Sequence, residues 1–383
     1  MEKVRLGSQI KQIRGISYKP TDLHNDLNDN SVILLRANNI SDGKLNFDDV
    51  VYVDKSKVKE EQYLKKGDIL VCASSGSKEL VGKAAFVKKD FTATFGAFCK
   101  LIRPMGCIAE YLGHYFNSPT YREKISALAL GANINNIRNE HIDKLFVCFP
   151  NELEQKSIAS LLDKVTNLID KRKEQLEKLD ALVKARFVQL FGDPKYNKNN
   201  LVKIGEIGAL TSGGTPSRAK PEYFEGDIRW YSAGELNSLY LPDSVEHISE
   251  TALQQSSAKL FNKGTLMIGM YDTAAFKMGI LTEDSSSNQA CANLNPKQGY
   301  NIVWLYYLFD IMKPIFLQER RGVRQKNLSL SKIKEFEVPI APFELQNQFA
   351  TFVEQTDKSK LKVQKSLEKL ELLKKALMQK YFG

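Results

Sequence analysis

A chain of 383 residues with 43% hydrophobic and 26% charged side chains has the make-up of a folded globular protein of two or three domains, which excludes fibrous and disordered classes. A net charge of +10 and a pI near 9.1 favour an anionic partner, while no run of about 18 apolar residues offers a membrane span and the first residues lack a signal-peptide core, so the cytoplasm is the expected compartment. The five cysteines Cys72, Cys99, Cys107, Cys148 and Cys291 form no C-x-x-C pair, which speaks against a zinc site or a disulfide framework.

In chain order, Val32 to Leu35 and Asp68 to Val71 are short apolar runs between loops rich in Gly, Ser and Asn, as strands are. Ser118-Pro119 suits a helix start, with the serine as cap and the proline in the first turn. From Gln155 onward apolar residues recur at Ile158, Leu161, Val165, Leu168, Leu176, Leu179, Val183, Phe187 and Leu190, the stripe of a coiled-coil helix that stops at Gly192-Asp193-Pro194. Thr265 to Ile268 predicts a strand in the second half. A second long helix carries Phe349, Phe352, Val363, Leu367, Leu370, Leu377 and Tyr381, less regular in its first half, where Thr356, Ser359 and Lys360 make a polar patch. Each helix of about 35 residues would span roughly 50 Å, and neither can hide its stripe alone. Antiparallel packing of one on the other is therefore expected.

An internal repeat organises these elements. Residues 131–192 align without a gap on 322–383, an offset of 191, with 16 of 62 positions identical, among them Gln155/Gln346, Leu176 to Leu179 against Leu367 to Leu370, and Phe191-Gly192 against Phe382-Gly383. Weaker echoes run upstream: Leu64 to Leu70 answers Leu260 to Leu266, and Cys99 answers Cys291. A period this long means domain duplication rather than a solenoid. The predicted layout is α+β: globular domains at 1–150 and 193–340, each followed by a long helix at 151–192 and 341–383. Net charge is spread as +5, +1, +1 and +3 over 1–150, 151–192, 193–340 and 341–383.

The segments Arg14 to Lys19, Gly131 to Ile137, Thr211 to Ser217 and Ser287 to Cys291, each set followed by a Glu-rich, Gln-bearing junction and a long helix, resemble the target-recognition domains of type I restriction-modification specificity subunits. The resemblance covers essentially the whole chain. The second junction, Pro339 to Gln346, carries two prolines where the first, Phe149 to Gln155, carries one at Pro150, a departure that bears on how the first helix begins. The resemblance implies two target-recognition domains separated by two long helices in an antiparallel coiled coil. It implies a non-catalytic subunit that binds double-stranded DNA at a bipartite target, one half-site per domain, with the helices setting the spacing. Two methyltransferase subunits and an endonuclease or translocase subunit are the implied partners, and S-adenosylmethionine and ATP would then belong to those partners alone, with no cofactor and no metal on this chain.

The loop chemistry agrees with such a reader. Asn and Gln can bond adenine bidentately, Arg can bond guanine, and Ser, Thr and Lys serve phosphates. Candidate contacts in the first half are Arg14, Tyr18, Lys19, Arg36, Asn38, Asn39, Ser75, Ser77, Lys78, Asn133, Asn135 and Asn136. In the second half they are Thr215, Ser217, Arg218, Lys220, Tyr271, Thr273, Lys277, Arg320, Arg321, Arg324, Gln325 and Lys326, the last five in the densest basic cluster of the chain. The competing classes are a stand-alone DNA methyltransferase and a coiled-coil scaffold without DNA specificity. Asn117-Ser118-Pro119-Thr120-Tyr121 has the wrong spacing for a methyltransferase Asn-Pro-Pro-Tyr element, Pro242-Asp243 lacks the rest of a nuclease metal site, the four histidines are far apart in sequence, and no phosphate-binding G-x-x-x-x-G-K-[ST] occurs. A scaffold would explain the helices but not the duplicated globular parts.

Overall fold

The computed structural model describes residues 3–77, 79–128, 135–320 and 327–383, the backbone alone at Asn135. It divides into two compact units: one holds residues 1–173 with 365–383, the other 174–364. In the first, Ile69–Cys72 is flanked by Ala84–Phe86 and Cys99–Pro104, with Ile10–Arg14 at the edge, an antiparallel four-stranded sheet. Every residue of Ile69–Cys72 is buried, which is why this run reads as continuously apolar rather than alternating. A second sheet orders Ala93–Phe95, Ser31–Leu35, Val51–Asp54 and Leu23–His24, with the first two strands parallel.

The second unit repeats this plan with different side chains. Its four-stranded sheet runs Met278–Ile280, Leu266–Gly269, Cys291–Pro296, Gly208–Ser212, the same order, and Leu266–Gly269 is again wholly buried. Ser286–Ser287, Ile228–Tyr231 and Glu246–Ile248 form the companion sheet, again with one parallel pair. The expected helix start holds: helix Pro119–Leu128 follows Ser118, whose hydroxyl accepts from the Tyr121 amide at 3.2 Å.

The long helices are Glu152–Phe191 and Phe343–Phe382, each of 40 residues, with starts and ends at the same 191-residue offset. The missing proline in the first junction changes nothing, because Asn151 Oδ1 accepts from the Glu154 amide at 2.9 Å and caps the helix there. The expected stripe is one residue out of place in two positions: Leu161 and Leu168 are 38% and 45% exposed, while Leu162 and Ile169 are buried. The corrected sequence of covered positions is Gln155, Ile158, Leu162, Val165, Ile169, Arg172, Leu176, Leu179, Val183, Phe187 and Leu190, a spacing of three and four that holds one face of a supercoiled helix. Shifted by 191, the same rule gives Gln346, Phe349, Val353, Thr356, Lys360, Val363, Leu367, Leu370, Lys374, Met378 and Tyr381. Thr356 and Lys360 of the polar patch therefore sit on the covered face while Ser359 is exposed, and Val353 takes the central place expected of the half-buried Phe352. Thr356 satisfies its hydroxyl on the Phe352 carbonyl at 2.9 Å, and Lys360 reaches Asp180 at 2.6 Å.

Within each unit the two helical segments run antiparallel. In the first, Ile158, Ala159 and Leu162 share a core with Met378 and Phe382, and Lys173 pairs with Glu371 at 3.6 Å. In the second, Val183 and Phe187 share a core with Phe349, Ala350 and Val353. The globular parts grip these cores through aromatic rings: Tyr111 lies 5.1 Å from Phe382, and Trp304 5.8 Å from Phe191 and 6.3 Å from Phe187. A buried glutamine repeats as well. Gln155 accepts from the Ile108 amide at 2.9 Å and donates to the Pro150 carbonyl at 2.8 Å, while Gln346 accepts from the Asn301 amide and donates to the Ala341 carbonyl, both at 2.8 Å.

Both tryptophans, Trp230 and Trp304, lie in the second unit, so their fluorescence reports its unfolding alone. Phe187→Ala is expected to destabilise that unit in urea by about 3–5 kcal/mol, as removing a fully buried ring does, whereas Val188→Ala on the exposed face should stay within about 0.5 kcal/mol. Equal effects of the two substitutions would disprove the corrected stripe.

Candidate nucleic-acid interface

In both units the loops of interest leave the same ends of the strands. Four backbone hydrogen bonds tie them together in the first unit: Ile16 N to Phe95 O at 2.9 Å, Gly96 N to Leu35 O at 3.0 Å, Ala73 N to Phe98 O at 2.8 Å, and Ile137 N to Ala73 O at 2.8 Å. Segment 95–98 is the hub. It draws together the Arg14 to Lys19, Arg36 to Asn39, Ser74 to Ser77 and Asn135-Asn136 stretches, the last of which pairs with Ser74-Ser75 as a short antiparallel ladder. The second unit repeats all four bonds: Gly214 N to Ser287 O at 2.8 Å, Asn288 N to Tyr231 O at 3.0 Å, Met270 N to Ala290 O at 2.9 Å, and Leu328 N to Met270 O at 2.8 Å. The close approach leaves no room for a side chain. A Cβ on Gly15 would lie 2.1 Å from Gly96 O, and one on Gly213 2.2 Å from Ser287 O, so glycine is required at both crossings.

The side chains on this frame fall into two groups. Exposed or half-exposed on the first unit are Arg14, Tyr18, Lys19, Asn38, Ser75, Ser77 and Asn136; the Tyr18 ring covers Gly96. Arg36 reaches Asp49 at 3.2 Å, and Asn38 reaches the same carboxylate at 2.8 Å. Asn39 departs from the expectation of a surface contact: it is 1% exposed, its amide nitrogen donates to the Asn46 and Asp49 carbonyls at 2.9 Å each, and its oxygen accepts from the Arg36 amide at 2.8 Å. All its hydrogen-bonding capacity in view goes into shaping the loop. In the second unit Thr215 bonds Gln289, Ser217, Tyr271 and Thr273 are exposed, and Lys277 is half-buried. Asp272 holds a left-handed φ of 46°, with its amide bonded to Asn327 Oδ1 at 3.0 Å.

Three further basic residues have partners inside their own unit, with Arg218 and Lys220 remaining exposed. Arg218 forms a two-pronged pair with Glu246 and lies 4.2 Å over the Phe224 ring, and the Glu246 carboxylate holds its guanidinium pKa above the ordinary value. The Lys220 ammonium donates to the Tyr223 hydroxyl at 2.9 Å, and Arg320 Nε caps the Leu317 carbonyl at 3.0 Å. Lys78, Asn133, Arg321, Arg324, Gln325 and Lys326 lie outside the described residues.

Sequence reasoning missed the hub itself, with Phe98 in it, and the nearby Lys100. Lys100, opposite Arg14 in the strand register, donates to Asn139; burial pushes its ammonium pKa down to about 8, with Asp143 opposing the shift and Arg14 adding to it. Cys72 and Cys99, directly opposed just beneath the loop, are fully buried thiols whose pKa burial raises. The echo between Cys99 and Cys291 was the available pointer, since each closes its hub segment. Among the described residues no group of three or more His, Cys, Asp or Glu could hold a metal ion, and no helix is long and apolar enough to cross a membrane.

Two stretches of the chain, residues 3–180 and 196–372, match the type I restriction modification DNA specificity domain. The chain belongs to this family. Among its relatives, the type I restriction enzyme StySPI specificity subunit of Salmonella potsdam is 43% identical over 178 residues, and the EcoKI specificity subunit of Escherichia coli (strain K12) is 42% identical over 178 residues. Each of these matches covers 46% of this chain and 38% of the relative, well under half of its length. The putative MjaX specificity subunit of Methanocaldococcus jannaschii is 24% identical over 372 residues, covering 90% of this chain and 85% of its own. In fold, the specificity domains resemble the S subunit of the M. genitalium type I restriction-modification system, with a TM-score of 0.59 at 16% identity over 100% of this chain and 96% of that one. A chain from work on complex assembly and conformational transition of the type I R-M system has the same TM-score at 15% identity, covering 99% and 97%.

The contrast between Asn38 and Asn39 gives a direct check. Asn39→Ala should lower the stability of the first unit by about 1–3 kcal/mol, because it strands buried backbone groups, while Asn38→Ala should cost under about 0.5 kcal/mol. Thermal unfolding followed by tyrosine near-ultraviolet circular dichroism measures both, and a silent Asn39→Ala would refute its structural role.

Proposed function

We propose that this chain is the DNA-reading specificity subunit of a type I restriction-modification complex, binding one half of a split target with each unit. The observation that carries the proposal is the repeated set of four backbone bonds, which gathers polar loops at equivalent strand ends in both units while their side chains differ. A reader of two different half-sites needs that combination: one frame, two chemistries. Asn, Ser, Thr and Arg on such loops suit base edges, and Lys suits phosphates. On this reading the chain has no catalytic residue and no cofactor of its own. Two methyltransferase subunits holding S-adenosylmethionine dock on it, an endonuclease or translocase subunit using ATP joins them, and the paired helices set the distance between half-sites.

The test is methylation. Purified chain with S-adenosylmethionine and genomic DNA should transfer no methyl groups, and adding the modification subunit should produce methylation at one split motif, read by methylome sequencing. Replacing residues 1–150 with the matching segment of another family member should change one half of that motif and leave the other intact. Methyl transfer by the chain alone, or a swap that alters both halves, would overturn the proposal.

A further inference from the structure

Phe98 is the residue of the first hub that the polar-loop account leaves unexplained. It is 69% exposed, the most exposed phenylalanine among the buried and exposed large hydrophobics of its unit, and it sits where all four candidate loops of that unit meet. Its backbone is not free to fold the ring away. The Phe98 carbonyl accepts from the Ala73 amide at 2.8 Å and the Ser74 amide at 3.0 Å, and the next residue closes back on Gly96 through Cys99 N to Gly96 O at 2.9 Å. A phenyl ring is thus held out in water on a fixed turn, surrounded by loops that bear Arg14, Ser75 and Asn136. The repeat places Ala290 at the equivalent point of the second unit, where the Ala290 carbonyl accepts from the Met270 amide at 2.9 Å. The frame is the same, and only the first unit carries the ring.

We propose that Phe98 is a specificity-determining residue that reads the 5-methyl group of a thymine in the half-site bound by the first unit. The inference rests on the DNA-reading function proposed above. Thymine is the one base whose major-groove edge presents an apolar group, and phenylalanine is among the side chains that contact it. Arg14 and Asn136 are exposed on the loops that meet the ring's turn, and side chains of these types suit base edges in the major groove, where the thymine methyl lies. A wedge between base pairs would instead enter from the minor groove and unstack a step. Covering the methyl group removes apolar surface of both partners from water, which corresponds to about a fourfold gain in affinity for one methyl. The second unit, with alanine in place of the ring, has no such reader.

The experiment uses the full chain assembled with its modification subunit and a duplex of about 30 base pairs carrying the motif found by methylome sequencing. Each thymine of the two half-sites is replaced in turn by deoxyuridine, which removes only the 5-methyl group, and binding is measured for the wild-type chain and for Phe98→Ala and Phe98→Leu. One thymine, in one half-site, should bind about fourfold weaker as deoxyuridine to the wild type. That same replacement should make no difference to Phe98→Ala, while Phe98→Leu should retain part of the effect. Unchanged thermal unfolding of both variants separates recognition from folding, as expected for so exposed a side chain. A first half-site without thymine, deoxyuridine replacements that act equally on wild type and Phe98→Ala, or loss of binding in Phe98→Ala that no methyl removal reproduces, would each overturn the proposal; the last outcome would identify a wedge. Absence of any methylated motif dependent on the chain would instead overturn the proposed function, so the two failures are distinguishable.

Discussion

A 40-residue helix with an apolar stripe cannot remain so in water, and in this molecule the stripe can be covered only by residues far away in sequence. The start of each long helix packs with the end of the other within one unit, and helices Ala109–Phe116 and Ile302–Gln318 of the globular parts meet the resulting core through Tyr111 against Phe382 and Trp304 against Phe191. Everything else hangs on that arrangement. The glutamines Gln155 and Gln346 set the helix starts against the preceding helices, the sheets follow, and the strand ends carry the loops to their places.

The duplication separates what is held fixed from what varies. Positions fixed across the two copies are those where backbone meets backbone: the glycine crossings, the hub carbonyls, the glutamine bridges. Most side chains that point off this frame differ between copies, Phe98 against Ala290 and Ser75 against Asp272 among them, while Asn136 and Asn327 are the same. Because the frame is built from peptide groups, a substitution on its outer surface alters chemistry without disturbing register. That is the physical basis on which two copies of one fold can carry different specificities.

The repeat, the helix limits and the buried strands were legible because each rests on local pattern: identity at a fixed offset, a capping serine at Ser118, an uninterrupted apolar run. The stripe was misplaced at Leu161 and Leu168 because leucines stand on both sides of the true face, and only the partner helix decides between Leu161 and Leu162. The candidate contacts were legible as loops but not as individuals. Asn39 and Asn38 look alike in sequence, and what separates them is the carbonyls of Asn46 and Asp49. Arg218 gave no sign of its commitment to Glu246, 28 residues on, and the hub was invisible because its bonds belong to the backbone.

One further consequence concerns synthesis. The core of the first unit includes Met378 and Phe382, which leave the ribosome more than 200 residues after Tyr111 and Tyr115, while the second unit needs nothing beyond residue 364. Vectorial folding is thereby inverted: the domain made first is completed last. Through the interval Tyr111, Tyr115 and Ile158 lack the cover of Met378 and Phe382, and the nascent chain must carry that apolar surface until residues 365–383 emerge.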